Sequence, residues 1–160
     1  MKGETAFRLT WKEFQYCCSI GASRQYRGHV NNYDNNETGF TPTELLTNHI
    51  VGVCGEMIAC KWLGVYYEPR MNGFNSADIG ANVQVRTRTK DHYKLKVTHK
   101  DPDDFYVVLV LGHPPDMRVA GWMIAADAKQ EKWLWDPGGH GVNFFVPQEF
   151  LRKPEEWPLW

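Results

Sequence analysis

The sequence predicts a single α/β domain spanning residues 1–160, on three observations. Two helices opened by capping signals occupy the chain up to Gly64, short alternating strands follow, and Phe105 to Leu111 is an uninterrupted apolar run suited to a central strand. At 160 residues, with 42% hydrophobic and 23% charged residues, the chain is large enough to bury a core, which excludes disordered, collagen-like and disulfide-miniprotein classes.

Thr10 stands three residues before Glu13, a capping box that opens an N-terminal helix over residues 10–27, with Trp11, Phe14 and Cys18 expected to supply packing. Gly28 to Phe40 is rich in Asn and Gly and reads as a polar loop. The second helix is the best marked element: Thr41 as cap, Pro42 in the first turn, Glu44 completing the box, and Gly64 as the stop. Its apolar residues Leu46, Ile50, Val53, Cys54, Met57 and Ile58 recur at helical spacing and define a buried face. Gly52, Gly55 and Ala59 surround Glu56. A mid-helix glycine costs about 1 kcal/mol relative to alanine, so another backbone is expected to approach closely there.

Val65 to Glu68, Ala77 to Ile79 and Asn82 to Lys90 read as strands of an antiparallel meander. Lys94 to Thr98 alternates again, Asp101-Pro102-Asp103 is a turn, and Val119 to Ile124 adds a further strand. Two reversals after Gln84 would leave Phe105 to Leu111 parallel to the Gln84 strand. Ala126 to Lys132 reads as a short surface helix, and the Trp-rich segment 133–160 has no regular pattern.

The net charge of −1 speaks against a uniformly basic nucleic-acid binder, but the average conceals polarity. Arg86 to Lys100 holds six basic residues (Arg86, Arg88, Lys90, Lys94, Lys96, Lys100) against Asp91 alone, a net +5, so the remainder carries −6. No apolar stretch approaches the roughly 20 residues of a membrane-spanning helix, and Met1 to Thr10 has no secretory pattern, so a cytoplasmic protein is expected. Cys17, Cys18, Cys54 and Cys60 lie in apolar helical patterns and should stay reduced and packed. Cys54 and Cys60 with His49 make a poor zinc set, because a spacing of six turns the thiols to opposite sides. Gly138-Gly139-His140-Gly141 lacks the residues of a phosphate loop and reads as a turn.

The chemistry is concentrated in Ser76-Ala77-Asp78-Ile79-Gly80 and Val83-Gln84-Val85-Arg86-Thr87-Arg88-Thr89-Lys90. A period of two places Gln84, Arg86, Arg88 and Lys90 on one strand face, and the preceding turn brings Asp78 towards them. A carboxylate, an amide and a guanidinium gathered this way can hold a divalent cation through oxygen and fix positive charge beside a phosphate.

In this arrangement Glu56, Asp78 and Gln84-Val85-Arg86, the chain resembles the PD-(D/E)XK nuclease superfamily over roughly residues 41–111. The resemblance implies a restriction-endonuclease-like mixed sheet flanked by helices, and metal-dependent hydrolysis of DNA phosphodiesters with Mg²⁺ or Mn²⁺. It casts Asp78 as direct ligand with the Gln84 side chain and the Val85 carbonyl, and Glu56 as holder of a metal-bound water. Arg86 would clamp the phosphate, and Arg88, Lys90, Lys94 and Lys96 would track the backbone of the DNA. Two positions depart from the pattern: Gln84 removes one negative charge from the site, and Arg86 replaces the usual Lys and cannot serve as a base at neutral pH. The alternative is a catalytically impaired relative that binds nucleic acid or a protein partner on the same basic face. Many such nucleases pair to cut two strands, which leaves a homodimer open.

Overall fold

The computed structural model describes residues 5–31, 39–71, 76–139 and 141–158. Along the chain these form β1 (Ala6–Arg8), α1 (Trp11–Val30), α2 (Pro42–Leu63), β2 (Val83–Arg88), β3 (Leu95–Val97), β4 (Tyr106–His113), β5 (Asp116–Ile124), α3 (Ala125–Ala128), β6 (Leu134–Trp135) and β7 (Asn143–Val146).

Both long helices begin where the capping residues place them. Thr10 and Glu13 exchange reciprocal hydrogen bonds, as do Thr41 and Glu44, and Gly64 closes α2 in the left-handed region at φ 69°. α1 runs on to Val30, so the expected polar loop begins later, and residues 32–38 of it lie outside the described residues. Trp11, expected to pack, is 70% exposed; the buried residues of α1 are Cys17, Ile20 and Gly21.

Strand order in the main sheet is β1-β5-β4-β2, with β2 parallel to β4 and the other pairs antiparallel. A second sheet, β3-β7-β6, is antiparallel throughout. The parallel relation expected between the Gln84 strand and Phe105 to Leu111 is present, but the meander is not. Residues 65–68 form no strand, because Tyr67 and Arg70 are drawn into side-chain and turn contacts instead of a ladder. Ala77 to Ile79 contributes one bridge, Ile79 to Val83, at a turn too tight for a longer pairing.

Alternation along β4 explains the layers. Val108 and Val110, with Val83 and Val85, pack against α2. Val107, Leu109 and Leu111 pack against Leu95, Val97, Phe144 and Val146 of the second sheet. β4 is therefore covered on both faces, which is why its sequence is continuously apolar. Helices, main sheet and small sheet form three layers. α2 is buried on every side from Val53 to Cys60, since α1 covers what the sheet does not. A side chain at Gly55 would overlap Thr87 on β2, so this glycine lets helix and sheet touch. Gly52 has open space instead; the close helix–helix approach is at Gly21, where a Cβ would come within 2.7 Å of the Ile50 backbone.

Candidate functional site at the open edge of β2

β2 is the edge strand of the main sheet and β3 the edge strand of the small one. They lie on the same side of the molecule, joined by the Arg86 Nε hydrogen bond to the Lys96 carbonyl at 3.2 Å. The candidate residues gather around this double edge.

Asp78 sits on the turn that leads into β2. Its backbone N–H and that of Ile79 both donate to the Val83 carbonyl, at 2.9 and 3.1 Å, and its Oδ2 accepts the Val85 N–H at 2.7 Å. The Val85 amide thus points away from β4. A strand residue directs its N–H and C=O to the same side, so the Val85 carbonyl shares this open edge with Asp78. Oδ1 of Asp78 accepts no hydrogen bond from the described residues. Burial pushes the Asp78 carboxyl up to about 6, and the Glu56 charge adds to the rise, against the Val85 N–H and the charges of Arg86 and Arg24.

Glu56 approaches from the helical layer and is 6% exposed. Arg24 of α1 grips it with both terminal nitrogens, Nη1 to Oε1 at 2.7 Å and Nη2 to Oε2 at 2.9 Å, and Tyr67 Oη donates to Oε2 at 2.7 Å. Three of the roughly four acceptor positions of the carboxylate are thereby taken. Burial opposes the Arg24 charge, but contact with Glu56 outweighs it and holds the guanidinium above its usual range. Burial beside Glu56 likewise drives the Tyr67 hydroxyl upward, so it stays a donor.

Gln84, Arg86 and Arg88 project from the face opposite α2, in register with Val107, Leu109 and Leu111. No hydrogen bond joins Gln84 to Asp78 or Glu56. Arg86 pairs with buried Asp101 through Nη2, at 2.8 and 2.9 Å, and Asp101 also accepts the Thr98 N–H at 2.7 Å. Among the described residues Arg88 donates only to the neighbouring Thr87 carbonyl, at 3.1 Å. Burial lowers the Arg88 guanidinium, and the charge of Arg86 lowers it further; burial, Arg88 and Arg86 together lower the Lys96 amine. Arg86, Arg88 and Lys96 thus act on one another as like charges, with Asp101 offsetting those of Arg86 and Lys96. Lys90 and Lys94 are exposed and rest over the rings of Tyr93 and Trp135, at 5.9 and 5.1 Å.

Sequence reasoning missed Arg24, Tyr67 and Asp101. The Asp-Pro-Asp context of Asp101 predicts a turn, and Asp101 does occupy one while also serving Arg86. The segment after α2 also encloses a cavity of about 300 Å³ bordered by Asp78, Tyr66, Glu68 and Arg70, which no sequence pattern announced.

The four cysteines are free, and burial pushes the Cys60 thiol up to about 12, far from a reactive thiolate. Trp157 packs edge-on against Trp62 and Trp122, Trp133 is buried, and Trp160 lies outside the described residues. No helix among the described residues is long and apolar enough to cross a membrane.

No family model, no curated protein and no solved structure matches this chain. The architecture stands as a mixed α/β fold with a mixed four-stranded sheet.

Among the described residues no group of three or more His, Cys, Asp and Glu side chains gathers as a metal site. The donors at the open edge are the unengaged Asp78 oxygen and the Val85 carbonyl. This set is oxygen-only and suits a hard divalent cation, at low affinity because it holds one negative charge.

Proposed function

We propose that the protein is a divalent-metal-dependent nuclease acting on DNA, with Asp78 at its reactive centre. The observation that carries this reading is the direct bond between the two halves of the motif: Asp78 Oδ2 accepts the N–H of Val85, the central residue of Gln84-Val85-Arg86. That bond fixes one carboxylate oxygen, while the other accepts no hydrogen bond from the described residues. This free oxygen and the Val85 carbonyl would hold Mg²⁺ or Mn²⁺. Bound there, the cation supplies an acidified water and offsets charge on the phosphate. Arg88 and Lys96, whose charges lack a carboxylate of their own, hold the phosphate backbone, with exposed Lys90 and Lys94 extending the track. Glu56 orients water through its one remaining acceptor position, and its charge raises the affinity of Asp78 for any cation.

A second reading, a nuclease-like protein that binds nucleic acid without cutting it, is favoured by one observation. Arg86 is committed to Asp101 and Glu56 to Arg24 and Tyr67, so two of the motif residues are occupied. A cleavage panel with duplex, nicked, branched and single-stranded DNA separates the two readings. Nuclease action requires cutting with Mg²⁺ or Mn²⁺ that chelation stops and Asp78→Ala abolishes. Salt-sensitive binding without cutting on any substrate leaves only the second reading.

A further inference from the structure

The cavity beside Asp78 has a composition suited to one kind of occupant. Cys60, Val65 and Ile79 give it apolar lining, while Tyr66, Glu68 and Arg70 join Asp78 at its border. Residues 65–70 run without regular secondary structure after Gly64, and the side chains of neighbouring residues there diverge. Tyr67 turns inward onto Glu56, whereas Tyr66 is 88% exposed and makes no hydrogen bond or ring contact with the described residues. An aromatic ring left bare beside a cavity is a free stacking surface.

The wall is held in place independently of any ligand. Arg24, the same residue that grips Glu56, donates to the Arg70 carbonyl at 3.1 Å, and Arg70 Nη2 donates to the Gly80 carbonyl at 2.6 Å. One nitrogen of the Arg70 guanidinium is thus anchored, and its other N–H groups remain available to an anion. At about 300 Å³ the space lies at the lower limit of small-ligand sites and has room for a nucleobase.

We propose that this cavity receives the base of a single unpaired nucleotide, stacked on Tyr66, with Arg70 on an adjoining phosphate, so that DNA reaches Asp78 unpaired. Glu68 offers an acceptor to the N–H groups on the base edge. The inference rests on the phosphodiester reading above and specifies its substrate as single-stranded, flapped or frayed DNA. A base still in its duplex cannot enter, because stacking and pairing hold it inside the helix until it is extruded.

The test is fluorescence anisotropy without divalent metal, using a short labelled single strand and a blunt hairpin duplex as probes. Tyr66→Ala should weaken single-strand binding by about fivefold or more and leave duplex binding unchanged. Tyr66→Phe, which keeps the ring, should bind like the wild type, and Arg88→Ala should weaken both probes. If Tyr66→Ala binds the single strand at full affinity while Arg88→Ala weakens both probes, the cavity proposal is wrong and the phosphate track stands. If neither probe binds at low salt, the proposal and the reading beneath it fall together.

Discussion

Each side of the main sheet carries an arginine paired with a buried carboxylate, and the two pairs differ in balance. On the helical side, Arg24 and Glu56 match charge for charge, and Tyr67 closes the third acceptor position. On the other side, Asp101 pairs with Arg86, but Arg88 and Lys96 crowd the same ground with no carboxylate of their own. A balanced buried pair joins elements; here it ties α1 to α2 and to the segment that follows. A surplus of partly desolvated cations is unfavourable until an anion arrives, which is why the proposed phosphate track is placed at the β2–β3 edge. Asp78 stands between them, at the margin of both.

Breaking the balanced pair should have the largest effect. Arg24→Ala leaves the Glu56 charge buried without its partner and should cost about 3–5 kcal/mol in urea denaturation. Replacing both residues by methionine should recover much of that loss. Equal stability of the single and double variants would show that the pair is not the joint described above.

Asp78 comes next, through pH. Its folded-state pKa, about 6, lies above the ordinary 3.8, so the folded protein binds the extra proton between those values. Stability from this group is therefore complete below about pH 4 and lost as pH rises through 6. Asp78→Asn keeps an oxygen for the Val85 N–H and removes the charge. It should stabilise the protein at pH 7.5 by on the order of 1–3 kcal/mol, with the advantage vanishing near pH 4. Thermal melts of both proteins across that range check the sign; a constant difference would refute it.

The smallest effect belongs to the unbalanced side. Arg88→Ala relieves crowding, so its stability should stay within about 1 kcal/mol of the wild type. Its nucleic-acid affinity should depend less steeply on salt, with the log–log slope reduced by about one. An unchanged slope would remove Arg88 from the phosphate track.

What the sequence disclosed divides along the range of the interactions. Both helix starts were legible because a capping box is complete within four residues. The approach of Asp78 to β2 was legible because one turn spans the positions between them, whereas the bond it makes is to the Val85 N–H and not to the Gln84 amide or the Arg86 guanidinium. The parallel direction of β4 relative to β2 was also readable, from the count of reversals between them, though not that the two strands pair directly. The second sheet was not: β3 pairs with β7, far along the chain, and the short alternation of Leu95 and Val97 fits the main sheet equally well. Arg24 lies 32 residues from Glu56, on a helix where any arginine reads as a solvated side chain. Asp101 was hidden by a sequence that satisfies a turn without further purpose. Tyr66 and Tyr67, side by side, have opposite fates that no local pattern distinguishes.

The proposed cation site consists of the free Asp78 oxygen and the Val85 carbonyl, with Gln84 adding no charge to it. Calorimetric titration of the protein with Mn²⁺, in the absence of nucleic acid, tests it most directly. The wild type should bind weakly, Asp78→Asn should not bind, and Gln84→Glu should bind more tightly by adding a carboxylate to the site. Equal Mn²⁺ binding by the wild type and Asp78→Asn, or none by Gln84→Glu, would contradict the placement of a metal at this edge.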